Sequence, residues 1–164
     1  MRNARPSIVA SAFWLQQHHD RCYYSEGAQR MSAINRRFVL PVVMDCSAFY
    51  RVCYNWAGAI DPYEFGYGVR EGYTGTALNA GKHIDLALVR PGDAVVLGAF
   101  PGRHMAMIVS HAEGNPVCIS MGKPGAPEIV RVSQMTYLGE PTYLTFNAVG
   151  RRTYYPPGHK KARR

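Results

Sequence analysis

The chain has 164 residues, 47% of them apolar, which is the length of one domain and enough to bury a core without help from disulfides or metals. It has no run of about 18 apolar residues, which excludes a membrane-spanning helix, and its 11 tyrosines and 16 glycines point to a fold rich in strands and loops. The formal net charge is +8, much of it in the closing stretch "RRTYYPPGHKKARR". That stretch reads either as a solvated end or as attraction to a polyanion: nucleic acid, acidic lipid or an anionic cell-wall polymer. No nucleic-acid-binding motif accompanies it, so no nucleic-acid partner is expected.

The opening "MRNARPSIVASAFWLQQHHD" combines basic residues with a short apolar patch. Ser7, Ser11 and Gln16 interrupt the patch and no small-residue cleavage site closes it. It therefore reads as a helix of the mature protein over 7–19, with Ser7 as N-cap, and not as a signal peptide. "CYYSEGAQRMSAINRRFVLPVV" is expected to be mostly irregular, closed by Pro41. From Cys46 the apolar positions fall at 46, 49, 50, 53, 54 and 57, the pattern of a helix with one buried face. Asp45 is its N-cap and Gly58 its stop. "GAIDPYEFGYGVREGYTGTALNAGKHID" reads as a long ordered loop, and loops of that length are usually functional. A turn followed by a strand is expected at 91–100, further strands at 103–111 and 115–122 joined by the turn "AEGN", and two more in "APEIVRVS" and "TYLTFNAV". Helices followed by an antiparallel meander of about five strands make an α+β domain over 1–150, with a basic, flexible tail over 151–164.

Cys22, Cys46, Cys53 and Cys118 form no CxxC pair and no zinc spacing, and Cys46 and Cys53 lie two helical turns apart, too far for a disulfide. Four free thiols are expected, with no metal. Cys53 is a packing residue. Cys46 is either a small apolar filler or a nucleophile: at the first helical position, the helix N-terminus lowers a thiol's pKa, and unpaired N–H groups there can hold an oxyanion. Among six histidines, His104 opens a strand on a face shared with Ala106 and Ile108. It is either a satisfied structural residue or the base such a thiol needs.

The order of "DCSAF", "YTGTAL", "PGDAVV" and "RHMAMIVS" resembles that of NlpC-type cell-wall cysteine peptidases, which are papain-like. "WLQQHHDRCYYSEGAQRMSAI", "DCSAFYRVCYNWAGAIDPYEFGYGVREGYTGTALNAGKHI" and "RPGDAVVLG" are similar to the peptidase domain of lysins from phages of actinobacteria, over residues 10–130. The resemblance implies a papain-like NlpC-type fold with Cys46 as nucleophile and His104 as general base. It further implies the Ser47 backbone N–H and an upstream tyrosine as oxyanion donors; Tyr24 matches that tyrosine best and Tyr23 second. It also implies peptidoglycan as substrate, cut between D-glutamate and meso-diaminopimelate, without a cofactor. The loop over 61–81 would wall the substrate groove through Tyr67 and Tyr73, with Asp45 and Arg103 as further substrate contacts, Arg103 pairing with a stem-peptide carboxylate.

The family's third catalytic residue, a histidine in an "SHG" context, is replaced here by Met121 in "ISMGKPG". A thioether is a poor partner for an imidazole N–H. Three readings stay open: a Cys–His dyad, Ser120 or a backbone carbonyl as orienter, or a degenerate site. A hairpin register centred between Ala112 and Glu113 sets Met121 opposite His104, and a one-residue slip brings Ser120 there. The expected setting is a phage lysin, made in the host cytoplasm without a signal peptide. The alternative is a tail component of the virion in contact with other phage tail proteins, with a weak or degenerate site.

Overall fold

The computed structural model describes residues 1–111 and 113–160; Ala112 of the "AEGN" turn and the last four residues of the basic tail lie outside them. In chain order the elements are β1 (Arg2–Asn3), α1 (Arg5–Gln17), β2 (Cys22–Tyr24), β3 (Val42–Met44), α2 (Cys46–Ala57), α3 (Thr74–Ala80), β4 (Lys82–Ile84), β5 (Ala94–Leu97), β6 (His104–Ser110), β7 (Val117–Ser120), β8 (Glu128–Arg131), β9 (Pro141–Thr145) and β10 (Val149–Gly150). Six strands form one antiparallel sheet in the order β4-β9-β5-β6-β7-β8, while β1 pairs with β10 and β2 runs parallel to β3. The α+β expectation holds, with one strand more than expected.

α1 starts earlier than the sequence suggests. Pro6 occupies its first turn, where a missing N–H costs nothing and a fixed φ suits the helix. Ser7 is inside the helix rather than capping it, its Oγ donating to the Ala4 carbonyl at 2.9 Å. The stretch expected to be irregular contains the parallel β2–β3 pair, which sets Tyr24 beside Met44 and so beside the start of α2.

α2 follows its sequence signals at both ends. Asp45 Oδ1 accepts from the Ala48 N–H at 2.8 Å, and Gly58 ends the helix at φ 85°. Its burial, however, is not confined to one face, since every residue from Ser47 to Ala57 is buried. The polar side is covered because Arg51, with no exposed surface, gathers the chain after the helix around itself. Its Nε and Nη2 bond Asp61 Oδ1 and Oδ2 at 3.0 and 2.8 Å, and Nη2 also reaches the carbonyls of Gly66 and Val69. The long loop expected after α2 is interrupted by α3 and β4, the latter pairing with β9 as the sixth strand. Elements of seven and three residues carry too little periodicity to read.

The sheet separates two apolar clusters. One holds α1 and α2 against Ala94, Val96, Met105, Met107, Ile119 and Met121. The other, on Val95, Leu97, Ala106, Ile108 and Cys118, is covered by the short turns carrying Val132 and Met135.

Candidate active site

Cys46 is the first residue of α2, held there by the Asp45 cap, and Tyr24 stands alongside through the β2–β3 pair. His104 is the first residue of β6, a strand packed on α2. Tyr24, Cys46, Arg103, His104 and Ser120 open together on one cavity of about 320 Å³. Cys46 is half-buried, packed against the helix-side core at the cavity wall, whereas Cys53 is fully buried. Of the two candidate tyrosines, Tyr24 lines the cavity and Tyr23 is 54% exposed to solvent.

His104 is buried, and its Nε2 lies 2.6 Å from Ser120 Oγ. The pairing Met107–Ile119 and Ile108–Cys118, continued toward the strand start, sets Met105 across from Met121 and His104 across from Gly122. Ser120 therefore reaches His104 diagonally, and neither simple register expected from the sequence applies. Gly122 leaves room for the ring: a methyl group there would stand 2.8 Å from His104 Cε1. Met121 points into the helix-side core and is fully buried. An irregularity between Ile108 and Ser110 shifts the pairing near the turn, which defeats counting from the turn centre.

The electrostatics run against one expectation. Burial pushes the Cys46 thiol up to about 11, and the Asp45 carboxylate adds to the rise. Backbone N–H groups of Met105, Ser47 and Cys46 oppose this by favouring the thiolate, but desolvation prevails over the helix terminus. Burial lowers the pKa of His104, while the Glu128 carboxylate acts in the opposite direction. Both directions favour the uncharged forms, a neutral thiol and a neutral imidazole lining one cavity. With Nε2–H donating to Ser120 Oγ, Nδ1 carries the lone pair that can take a proton.

Other residues take different places. Asp45, half-buried, caps α2 and stands 3.5 Å from Arg30 Nη1. Its pKa is raised by desolvation, only partly offset by the Ala48 N–H and Arg30. Ser47 is buried, with its carbonyl accepting from the Tyr63 hydroxyl at 2.9 Å and its Oγ facing the Gly72 carbonyl at 3.4 Å. The loop over 61–81 therefore supports the start of α2 through Tyr63 and Gly72. Tyr67 turns away from Cys46, its hydroxyl donating to the Ala59 carbonyl at 2.8 Å, and lines a different cavity at the far end of α2. Tyr73, half-exposed, sits at the start of α3 outside the Cys46 cavity.

Three charged residues that the sequence reading did not single out also line the cavity: Glu26, Lys123 and Glu128. The Tyr24 hydroxyl donates to Glu26 Oε1 at 2.7 Å, and Lys123 Nζ lies 3.4 Å from Glu128 Oε1. Glu128 stands directly across from Ser120 in the β7–β8 pairing. Charged residues in turns and at strand ends carry no periodic signal, so nothing in the sequence marks these three.

No family model matches the sequence, and neither does any curated protein. Solved structures do resemble the fold. The NlpC/p60 domain of the peptidoglycan hydrolase SagA superposes with a TM-score of 0.56 at 21% identity, covering 85% of this chain and 96% of that one. An NlpC/p60 family protein from Bacillus cereus gives 0.44 at 18% identity, covering 65% of this chain and 33% of its own. NlpC1 from Trichomonas vaginalis gives 0.47 at 16%, covering 90% and 45%. The first of these establishes a shared papain-like NlpC/p60 fold.

Proposed function

We propose that this chain is a cysteine peptidase that hydrolyses an amide bond in the stem peptides of bacterial peptidoglycan. The observation that carries the proposal is the convergence on one cavity of a helix-terminal thiol, a tyrosine and a strand histidine bonded to a serine. As a carbonyl carbon meets Cys46 Sγ, His104 Nδ1 takes the thiol proton and the S–C bond forms. The Ser47 N–H and the Tyr24 hydroxyl, turned from Glu26, hold the oxyanion. The imidazolium then protonates the leaving amine as the C–N bond breaks. Water, deprotonated by His104, attacks the thioester, releasing a carboxylate and restoring the thiol. A neutral resting pair suits this sequence, because the base must be unprotonated when substrate arrives.

Ser120 supplies the orienting contact that the Met121 substitution removed from its usual place, which supports an active site over a degenerate one. In this reading Arg103, which lines the same cavity, pairs with a stem-peptide carboxylate. We assign the cut to the bond between D-glutamate and meso-diaminopimelate, and the protein to a phage lysin acting on the wall of an actinobacterial host. Both assignments rest on the sequence resemblance. Incubation with a soluble stem tetrapeptide, read by mass spectrometry, tests the bond: a new free amine is expected on diaminopimelate, and a cut elsewhere overturns the assignment.

A further inference from the structure

A second cavity, larger than the one at Cys46, lies at the other end of α2. Twelve residues at a 1.5 Å rise place it about 18 Å along the helix from Cys46, so its occupant is not the scissile group. Gly58 makes it possible: a methyl there would collide with the Arg152 carbonyl and the Tyr154 ring, and the residue's φ of 85° also favours glycine. The chain at 151–154 thus lies directly on the helix end, where the Tyr154 N–H donates to the Ala57 carbonyl at 2.9 Å. The resulting cavity, about 720 Å³, is lined by Arg37, Arg151, Arg152, Tyr67 and Tyr154.

Arg37 is pre-set. Its Nε donates to the Trp56 carbonyl at 3.0 Å, and its guanidinium carbon stacks 3.6 Å from the centre of the Tyr154 ring. Among the described residues its two terminal nitrogens have no partner, and neither do the side chains of Arg151 and Arg152. The one carboxylate lining the cavity, Asp61, is engaged by Arg51. Three arginines therefore line one cavity whose lining carboxylate is already paired. A stacked arginine fork held in place with its end nitrogens free matches a tetrahedral oxyanion, and the neighbouring cations add to the pull.

We propose that this cavity binds the phosphate groups of a phosphodiester polymer of the bacterial wall, holding the protein on its insoluble substrate while the opposite end of α2 cuts. The choice of polymer rests on the peptidase reading; the phosphate chemistry does not.

The test uses the Cys46→Ala protein, which leaves walls uncut, sedimented with walls that carry phosphodiester polymers and with the same walls stripped of them. Binding is expected to fall about tenfold or more, the value of a charge-assisted hydrogen bond, both on stripping and with Arg151→Glu/Arg152→Glu. The charge-matched Arg21→Glu/Lys82→Glu should leave it nearly unchanged. Inorganic phosphate should shift the backbone amide resonances of Gly58, Arg151 and Tyr154. Equal loss in the charge-matched control, indifference to stripping, or tighter binding to duplex DNA through the same arginines would each overturn the proposal. With Cys46 intact, Arg151→Glu/Arg152→Glu should cleave the soluble stem peptide like the wild type. If the wild type itself fails to cleave it, the peptidase reading falls while the sedimentation result still decides the phosphate site.

Discussion

The 2.6 Å contact between His104 Nε2 and Ser120 Oγ engages one ring nitrogen and leaves Nδ1 free of it, so in the proposed mechanism the serine acts through the imidazole and not on substrate. Ser120→Ala leaves a buried N–H unpaired, a loss of about 1–2 kcal/mol. This should lower kcat by about 5- to 30-fold with KM little changed, as steady-state kinetics would show. Met121→His is expected to restore nothing. The side chain would enter the core beside Met105 and Ile119, so the melting temperature should fall by the equivalent of about 1–3 kcal/mol with no gain in rate. The active form of the thiol–imidazole pair holds one proton, so kcat/KM should decline as pH falls below the ordinary histidine range and a second proton binds. Around His104 stand Cys46 from α2, Tyr24 and Glu26, Arg103, Lys123 and Glu128. Removing the Glu128 charge with Glu128→Gln takes away support for the imidazolium, and the acid limb should move to lower pH. Lys123→Gln should move it higher. NMR titration of the His104 ring in the Cys46→Ala protein reads the same shifts without turnover. The placement of Cys46 and His104 was legible in the sequence because each opens an element. The choice between Ser120 and Met121 was not, because a hairpin with an irregular pair hides its register.

α2 is the element on which the site depends, and it is fixed at both ends by side-chain chemistry visible in the sequence. Asp45→Ala removes a cap, a loss of about 1 kcal/mol, and also the carboxylate facing Arg30. Denaturant unfolding should show that loss together with reduced activity, since the first turn carries both Cys46 and the Ser47 N–H. The covering of α2 was not visible, because an arginine on a helix reads as a solvated face until its partner, Asp61, is brought to it. Asp61→Asn leaves Arg51 buried without its carboxylate. Because breaking a buried pair costs about 3–5 kcal/mol, a large drop in the unfolding midpoint is expected, with loss of the support that Tyr63 and Gly72 give to the start of the helix. The short elements β2, β3, α3 and β4 went unread for a simpler reason. They are stabilised by their neighbours and not by their own periodicity, yet β2 sets the position of Tyr24.

At the scale of the whole molecule, the sheet presents His104 and Ser120 from neighbouring strands, and α2, packed on β6, presents the Cys46 thiol. The opposite end of α2 carries the arginine-lined cavity formed with residues 151–154. The antiparallel sheet was foreseeable from the run of short strands after residue 90; the packing of the chain end against α2 was not, because its basic composition reads as solvated. The central claim is that Cys46 cuts the wall, and digestion of purified actinobacterial peptidoglycan by the wild type and by Cys46→Ala tests it most directly. The wild type should release new amino groups steadily, and Cys46→Ala should release none above the enzyme-free background. Equal release by the two proteins, or none by either, contradicts the claim.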